Sequence, residues 1–206
     1  MANRESAFGR RPIRHREGAP YGGAFNSYYV PSTYATALFI GDPVVKTGTS
    51  NTAEVSAPGA GKFGIGTLPE INKATAGDGN PITGVIVGFA PISTNLNLNY
   101  NTASTARIVY VCDDPDVVFL IQADGAIAAA DVGLNAVLIY TNAGSTVSGL
   151  SGVELDTTSD VPAADASNQL TIQRVYNSET NEAASAWTRV EVKINQHTEA
   201  NNVIGF

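Results

Sequence analysis

From Tyr28 onward the apolar segments of this chain are short, rich in β-branched and aromatic residues, and closed off by turn residues. That pattern leaves strands as the dominant element. The segments are SYYV (27–30), TALFI (36–40), PVVK (43–46), TGVIVGF (83–89), ARIVYVC (106–112), DVVFLIQ (116–122), NAVLIY (135–140), QLTIQRVY (169–176) and SAWTRVEVKIN (185–195). In the last of these the alternation is clean, with Val190, Val192 and Ile194 on one face and Arg189, Glu191 and Lys193 on the other; period two predicts a half-buried strand. Asp- and Gly-containing links such as Gly41-Asp42-Pro43, DDPD (113–116) and TNAGST (141–146) carry turn chemistry. CDDPD, between two strand runs, predicts a hairpin. Only AIAAADVGL (126–134) predicts a helix, and VPAADASNQ (161–169) a single further turn. The expectation is an all-β fold, a small barrel or sandwich of short, mainly antiparallel strands with long loops.

At 206 residues the chain fits one domain with an extension. Residues 1–24 read as an extended N-terminal arm, punctuated by Pro12, Pro20 and several glycines and without periodicity. Residues 25–206 read as the β-rich domain. Within it, 47–82 and 141–168 are small and polar and predict elaborated loops. NLNLNYN (95–101) alternates Asn with Leu96, Leu98 and Tyr100, and fits an edge strand or a segment ordered by a neighbouring subunit.

Charge divides the chain in the same place. Five of its twelve basic residues fall in the first sixteen positions, so residues 1–20 carry +3 while the remainder carries −10. An acidic body disfavours a nucleic-acid partner, but a basic arm can seek carboxylates on another surface. Charged residues are 15% of the chain, against about 25% in ordinary soluble domains, so Asn, Ser, Thr, Gly and Ala must make the surface or a partner must cover it. The single Cys112 removes an intrachain disulfide framework. No apolar secretory leader, membrane span or Asn-x-Ser/Thr acceptor is visible, and the expected site of synthesis is the host cytoplasm.

Reactive motifs test poorly. APGAGKFG (57–64) has Ser56 and Phe63 where a phosphate loop needs Gly and Ser/Thr, and a turn is the better reading. Asp113, Asp114, Asp116 and Asp124 lack calcium-loop spacing and fit hairpin turns. His15 and His197 are the only histidines, and Cys112 in an apolar run reads as buried and inert. The expectation is no enzyme, no cofactor and no metal. Trp187 reads as core or interface, with core favoured.

The opening MANRESAFGRRPIR and GAPYGGAFNSYYVPS, then ALFIGDPVV, GVIVGFAP, ARIVYVCDDPDVVFLIQ and DVGLNAVLI, together resemble the head-decoration, or cement, proteins of tailed bacteriophages. The resemblance covers about two thirds of the chain, weighted to residues 1–140, and implies that a strand after Gly41-Asp42 pairs with the Gly-Val-Ile-Val strand in a small β-barrel. It further implies a virion structural protein on the capsid exterior, bound to the major capsid protein at capsomer junctions. Such a protein assembles as a homo-oligomer, a dimer or trimer, with no nucleic acid, membrane or cofactor as partner. The docking residues on this reading are Arg4, Phe8, Arg10, Arg11, Ile13, Arg14 and Arg16, on an arm that gains order against a neighbouring subunit and pairs its arginines with carboxylates. A tail or fibre subunit is the alternative, and a β-sandwich carbohydrate-binding module a more distant one.

Overall fold

The computed structural model describes residues 3–200; the extreme ends of the arm and of the β-rich domain, residues 1–2 and 201–206, lie outside the described residues. In chain order the strands are β1 (Arg11–His15), β2 (Asn26–Val30), β3 (Pro43–Ser50), β4 (Val55–Ala57), β5 (Gly61–Phe63), β6 (Pro69–Lys73) and β7 (Gly84–Phe89). There follow β8 (Arg107–Cys112), β9 (Val117–Gln122), β10 (Asn135–Ala136), β11 (Leu138–Ile139), β12 (Glu154–Leu155), β13 (Leu170–Val175) and β14 (Arg189–Ile194). The fold is nearly all β, and strand pairing is antiparallel apart from one seam and a few isolated bridges.

Two assemblies share the molecule. One is a closed barrel in the order β2-β6-β3-β7-β8. The other is a five-stranded sheet in the order β1-β9-β14-β13-β10. The expected pairing of the two Gly-flanked strands is present, with Pro43 opposite Val85 and Val44 opposite Gly84. Gly84 is obligatory at that point, because a methyl group there would stand 2.4 Å from the Cys112 carbonyl oxygen. In β8, Val109 and Val111 point into the barrel while Ile108 and Tyr110 pack outside against Leu68, under the β4–β5 hairpin, so period two is read directly as inside and outside. The barrel closes through a short parallel seam at Tyr29 and Glu70.

The largest core lies between the two assemblies. Phe119 and Ile121 of β9 with Val190, Val192 and Ile194 of β14 pack against Ile82, Val85 and Cys112 from the barrel side. The alternation of β14 is therefore as expected, except that Glu191 on its other face is buried at 3% exposure rather than solvated.

Several expectations are corrected. CDDPD is not a hairpin: β8 is already paired on one side with β2 and on the other with β7. Both its ladders are filled, so the chain crosses to the other sheet, where β9 pairs with β1 and β14. The 126–134 run forms only a 3-10 turn, Ala129–Asp131, with the Ala128 amide donated to Asp131 at 2.7 Å. Nine residues cannot meet the nucleation cost of an α-helix without a packed face. The 47–82 stretch is more than loop, since β6 within it is a barrel stave. NLNLNYN is not a strand; the guanidinium of Arg107 gathers its turns by donating to the Leu98 and Tyr100 carbonyls. TALFI contributes isolated bridges at Leu38 and Ile40 instead of a strand.

Candidate functional site

The arm is built into the domain. Asn3 clamps a distant loop, its Nδ2 donating to the Glu182 carbonyl at 2.9 Å while its Oδ1 accepts the Glu182 amide at 2.8 Å. Gln122, at the buried end of β9, donates Nε2 to the Arg4 carbonyl and accepts the Ser6 amide. The chain then crosses the barrel entrance at Gly9 and Gly41, both with positive φ, and the Arg10 amide donates to the Gly41 carbonyl at 3.0 Å. A methyl group on Gly9 would lie 2.5 Å from Ser151 Cβ and 2.8 Å from the Gly41 oxygen, so two glycines are what allow the backbones to touch.

Beyond the crossing, β1 pairs antiparallel with β9, with a bulge between Pro12 and Arg14. Pro12 is tolerated because β1 is an edge strand. The segment turns at Gly18 and returns, the Tyr21 amide donating to the Ile13 carbonyl. The expectation that the arm gains order only on a neighbour is thus corrected. Every residue of β9 is buried, and the arm pairs with the backbone edge of β9 that β14 leaves free.

The seven sequence-predicted residues divide into an inner and an outer set. Arg14 donates Nε and Nη2 to Glu191 Oε2 at 3.0 and 2.7 Å, and Arg174 forms an ion pair with Oε1 of the same carboxylate, Nε lying 2.9 Å away. The carboxylate partner expected on another subunit is therefore, for Arg14, in its own sheet. Arg10 is buried, and burial lowers its pKa to about 10. Ile13 and Phe8 are half-buried. Arg4, Arg11 and Arg16 are exposed, with no carboxylate ion pair among the described residues; the Arg11 guanidinium lies 5.4 Å over the Phe8 ring. The structure brings Phe8, Arg10 and Arg11 to one cavity of about 270 Å³ and Phe8 and Arg4 to another of about 280 Å³. Arg16 lies apart, near Lys193.

Sequence reasoning missed Gln122 and Glu191, and favoured the core over an interface for Trp187. Gln122 had a signal, a polar residue closing a fully apolar run. Glu191 had none, because alternation assigns it to solvent. Trp187 is half-buried, not core, and walls the second cavity with a left-handed φ of 58°, a conformation rare for a bulky residue.

The aspartates are spent on separate tasks. Asp113 accepts the Tyr28 hydroxyl at 2.7 Å, Asp124 accepts Thr157 and Thr158, and Asp116 is paired with Lys193 at 3.0 Å, which holds its carboxyl below the usual range. Among the described residues no group of three or more His, Cys, Asp or Glu is placed to hold a metal ion. Cys112 is buried, which pushes its thiol up to about 11. APGAGKFG is the turn of the β4–β5 hairpin, with Lys62 paired to Glu54 at 2.7 Å. Compared with protein-family models, curated proteins and solved structures, the chain matches none of them.

Proposed function

We propose that this protein is a virion structural component that decorates and cements the outside of a tailed-phage capsid, as a homo-oligomer bound to the major capsid protein. The observation that carries the reading is three exposed arginines, Arg4, Arg11 and Arg16, on an arm pinned to the domain by its own backbone. An already ordered arm binds without a further ordering cost, and guanidinium groups suit carboxylates on a facing subunit. Exposed apolar side chains on separate loops, Ile65, Leu96, Val147 and Val161, add contact points of the kind that symmetric repetition multiplies.

The test is imaging of purified particles with and without the triple change Arg4→Glu, Arg11→Glu and Arg16→Glu. The expected result is density at capsomer junctions for the parent chain and at least a tenfold loss of occupancy for the variant, about 1.4 kcal/mol per decade. The variant should unfold at the same denaturant concentration, since exposed changes shift stability by about 0.5 kcal/mol or less. Absence from the capsid exterior would end the proposal, and density confined to the tail would transfer it to the tail or fibre reading. Full occupancy of the variant would show that another face docks.

A further inference from the structure

Two arginines of this fold are buried, and their donors are used in opposite ways. Arg107 donates Nε to the Ala90 carbonyl at 2.8 Å, Nη1 to Tyr100 and Nη2 to Leu98. Arg10 is 1% exposed, yet Nε, Nη1 and Nη2 are all buried without a hydrogen-bond partner. The guanidinium carbon lies 5.4 Å from the centre of the Phe119 ring. Burial does not neutralise it, because a pKa of about 10 leaves it charged at pH 7. Among the described residues no carboxylate is paired with it. Tyr140 and Cys112, its electrostatic neighbours, are both raised by burial and neutral at pH 7. The Tyr140 hydroxyl is donated to the Ala74 carbonyl. Asp42, next to the Gly41 crossing, is engaged by Ser151, the Phe39 amide and Lys73. A buried charge without a partner is among the least favourable arrangements in a folded chain.

Arg10 also forms part of the wall of the cavity of about 270 Å³, whose other walls include Phe8, Pro12, Ile40, Ile86 and Leu150. Two arginines stand on this otherwise largely apolar wall, the buried Arg10 and the exposed Arg11, whose guanidinium lies over the Phe8 ring; cationic groups on an apolar wall are the pattern of an amphipathic-ligand site. The volume falls just below the usual range of about 300–1,000 Å³, which restricts the occupant to a small molecule.

We propose that this cavity binds a small monocarboxylate with a short apolar body. The chain of the ligand lies against Phe8, Ile40 and Leu150, and the Arg10 guanidinium turns from Phe119 towards the cavity to fork its donors onto the carboxylate. The site does not depend on the capsid reading, and either can fail without the other.

The experiment is calorimetric titration of the full chain with sodium octanoate, with 1-octanol as the neutral counterpart and inorganic phosphate as the bare anion. Octanoate should bind one to one, at least tenfold more tightly than octanol, and should raise the melting temperature. Arg10→Met should abolish that preference, whereas Arg11→Met should keep it, because Arg11 is exposed and its guanidinium lies over Phe8. Arg10→Met should melt no lower than the parent, since an apolar residue of similar volume relieves the unpaired charge. Leu150→Trp, which fills the cavity and keeps Arg10, should lose octanoate binding and serves if Arg10→Met does not fold. No octanoate binding, equal binding of octanoate and octanol, phosphate binding alone, or undiminished binding by Leu150→Trp would each overturn the proposal.

Discussion

The barrel and the five-stranded sheet solve the same problem with different materials. All five barrel strands fall between Asn26 and Cys112, and their hydrogen bonds close on themselves, so the barrel leaves no edge to protect. The sheet collects strands from Arg11 to Ile194 and ends in β1 on one side and the two-residue β10 on the other. The barrel is thus secured by closure, whereas the sheet is secured by what covers it: the arm along β9, and the barrel against its inner face. Long-range pairing of this kind is slower to form and easier to open locally.

Four substitutions probe that contrast. The largest loss is expected from Phe119→Ala, which empties the core between the two assemblies; about 4 kcal/mol should disappear in urea unfolding. Gly41→Val should cost about 3 kcal/mol, because φ is +94° and a Cβ would stand 2.9 Å from the Phe8 carbonyl oxygen. Its effect should be uneven, with hydrogen exchange accelerating in β1 and β9 ahead of β3 and β8; uniform acceleration would mean that arm and barrel open together. Glu191→Gln leaves Arg14 and Arg174 without their shared charge. Arg174 is largely exposed, so the loss should be about 1–2 kcal/mol, suppressed little by salt at the buried carboxylate.

The smallest effect is one of pH. Glu154 is buried, and burial raises its carboxyl above the ordinary value, partly offset by Asn142 donating at 2.8 Å. A carboxyl with a raised folded pKa stabilises the protein most below its unfolded pKa, and that contribution is lost as pH rises through the folded value. Glu154→Gln should therefore flatten this part of the stability–pH curve and leave the protein no less stable at pH 7. Melting curves from pH 4 to 7 that superimpose for the two chains would refute this.

How much of this was legible depended on whether the deciding interaction was local. The faces of β8 and β14 follow from side-chain alternation alone. The pairing of β3 with β7 was expected only from the resemblance of the GDPVV and GVIVGF segments to a small barrel core, and no local signal in either strand specifies it. The crossover at CDDPD could not, because the turn residues are the same for a hairpin and for a change of sheet; only the occupied edges of β8 decide. The arm was visible as an arginine cluster, but nothing in its composition separates Arg14, which meets its own Glu191, from Arg11, which faces outward. That sorting depends on the register of β1 against a strand far away in sequence.

The pairing of Arg11 with Leu120 also sets an order of events during synthesis. The barrel strands are all available once Cys112 has emerged, while β1, made before them, still lacks β9. At about 5–20 residues per second, the arm waits roughly 5–20 s for its partner, and longer for β14 to arrive behind it. The arm, made before the barrel strands, is therefore among the last segments to lock.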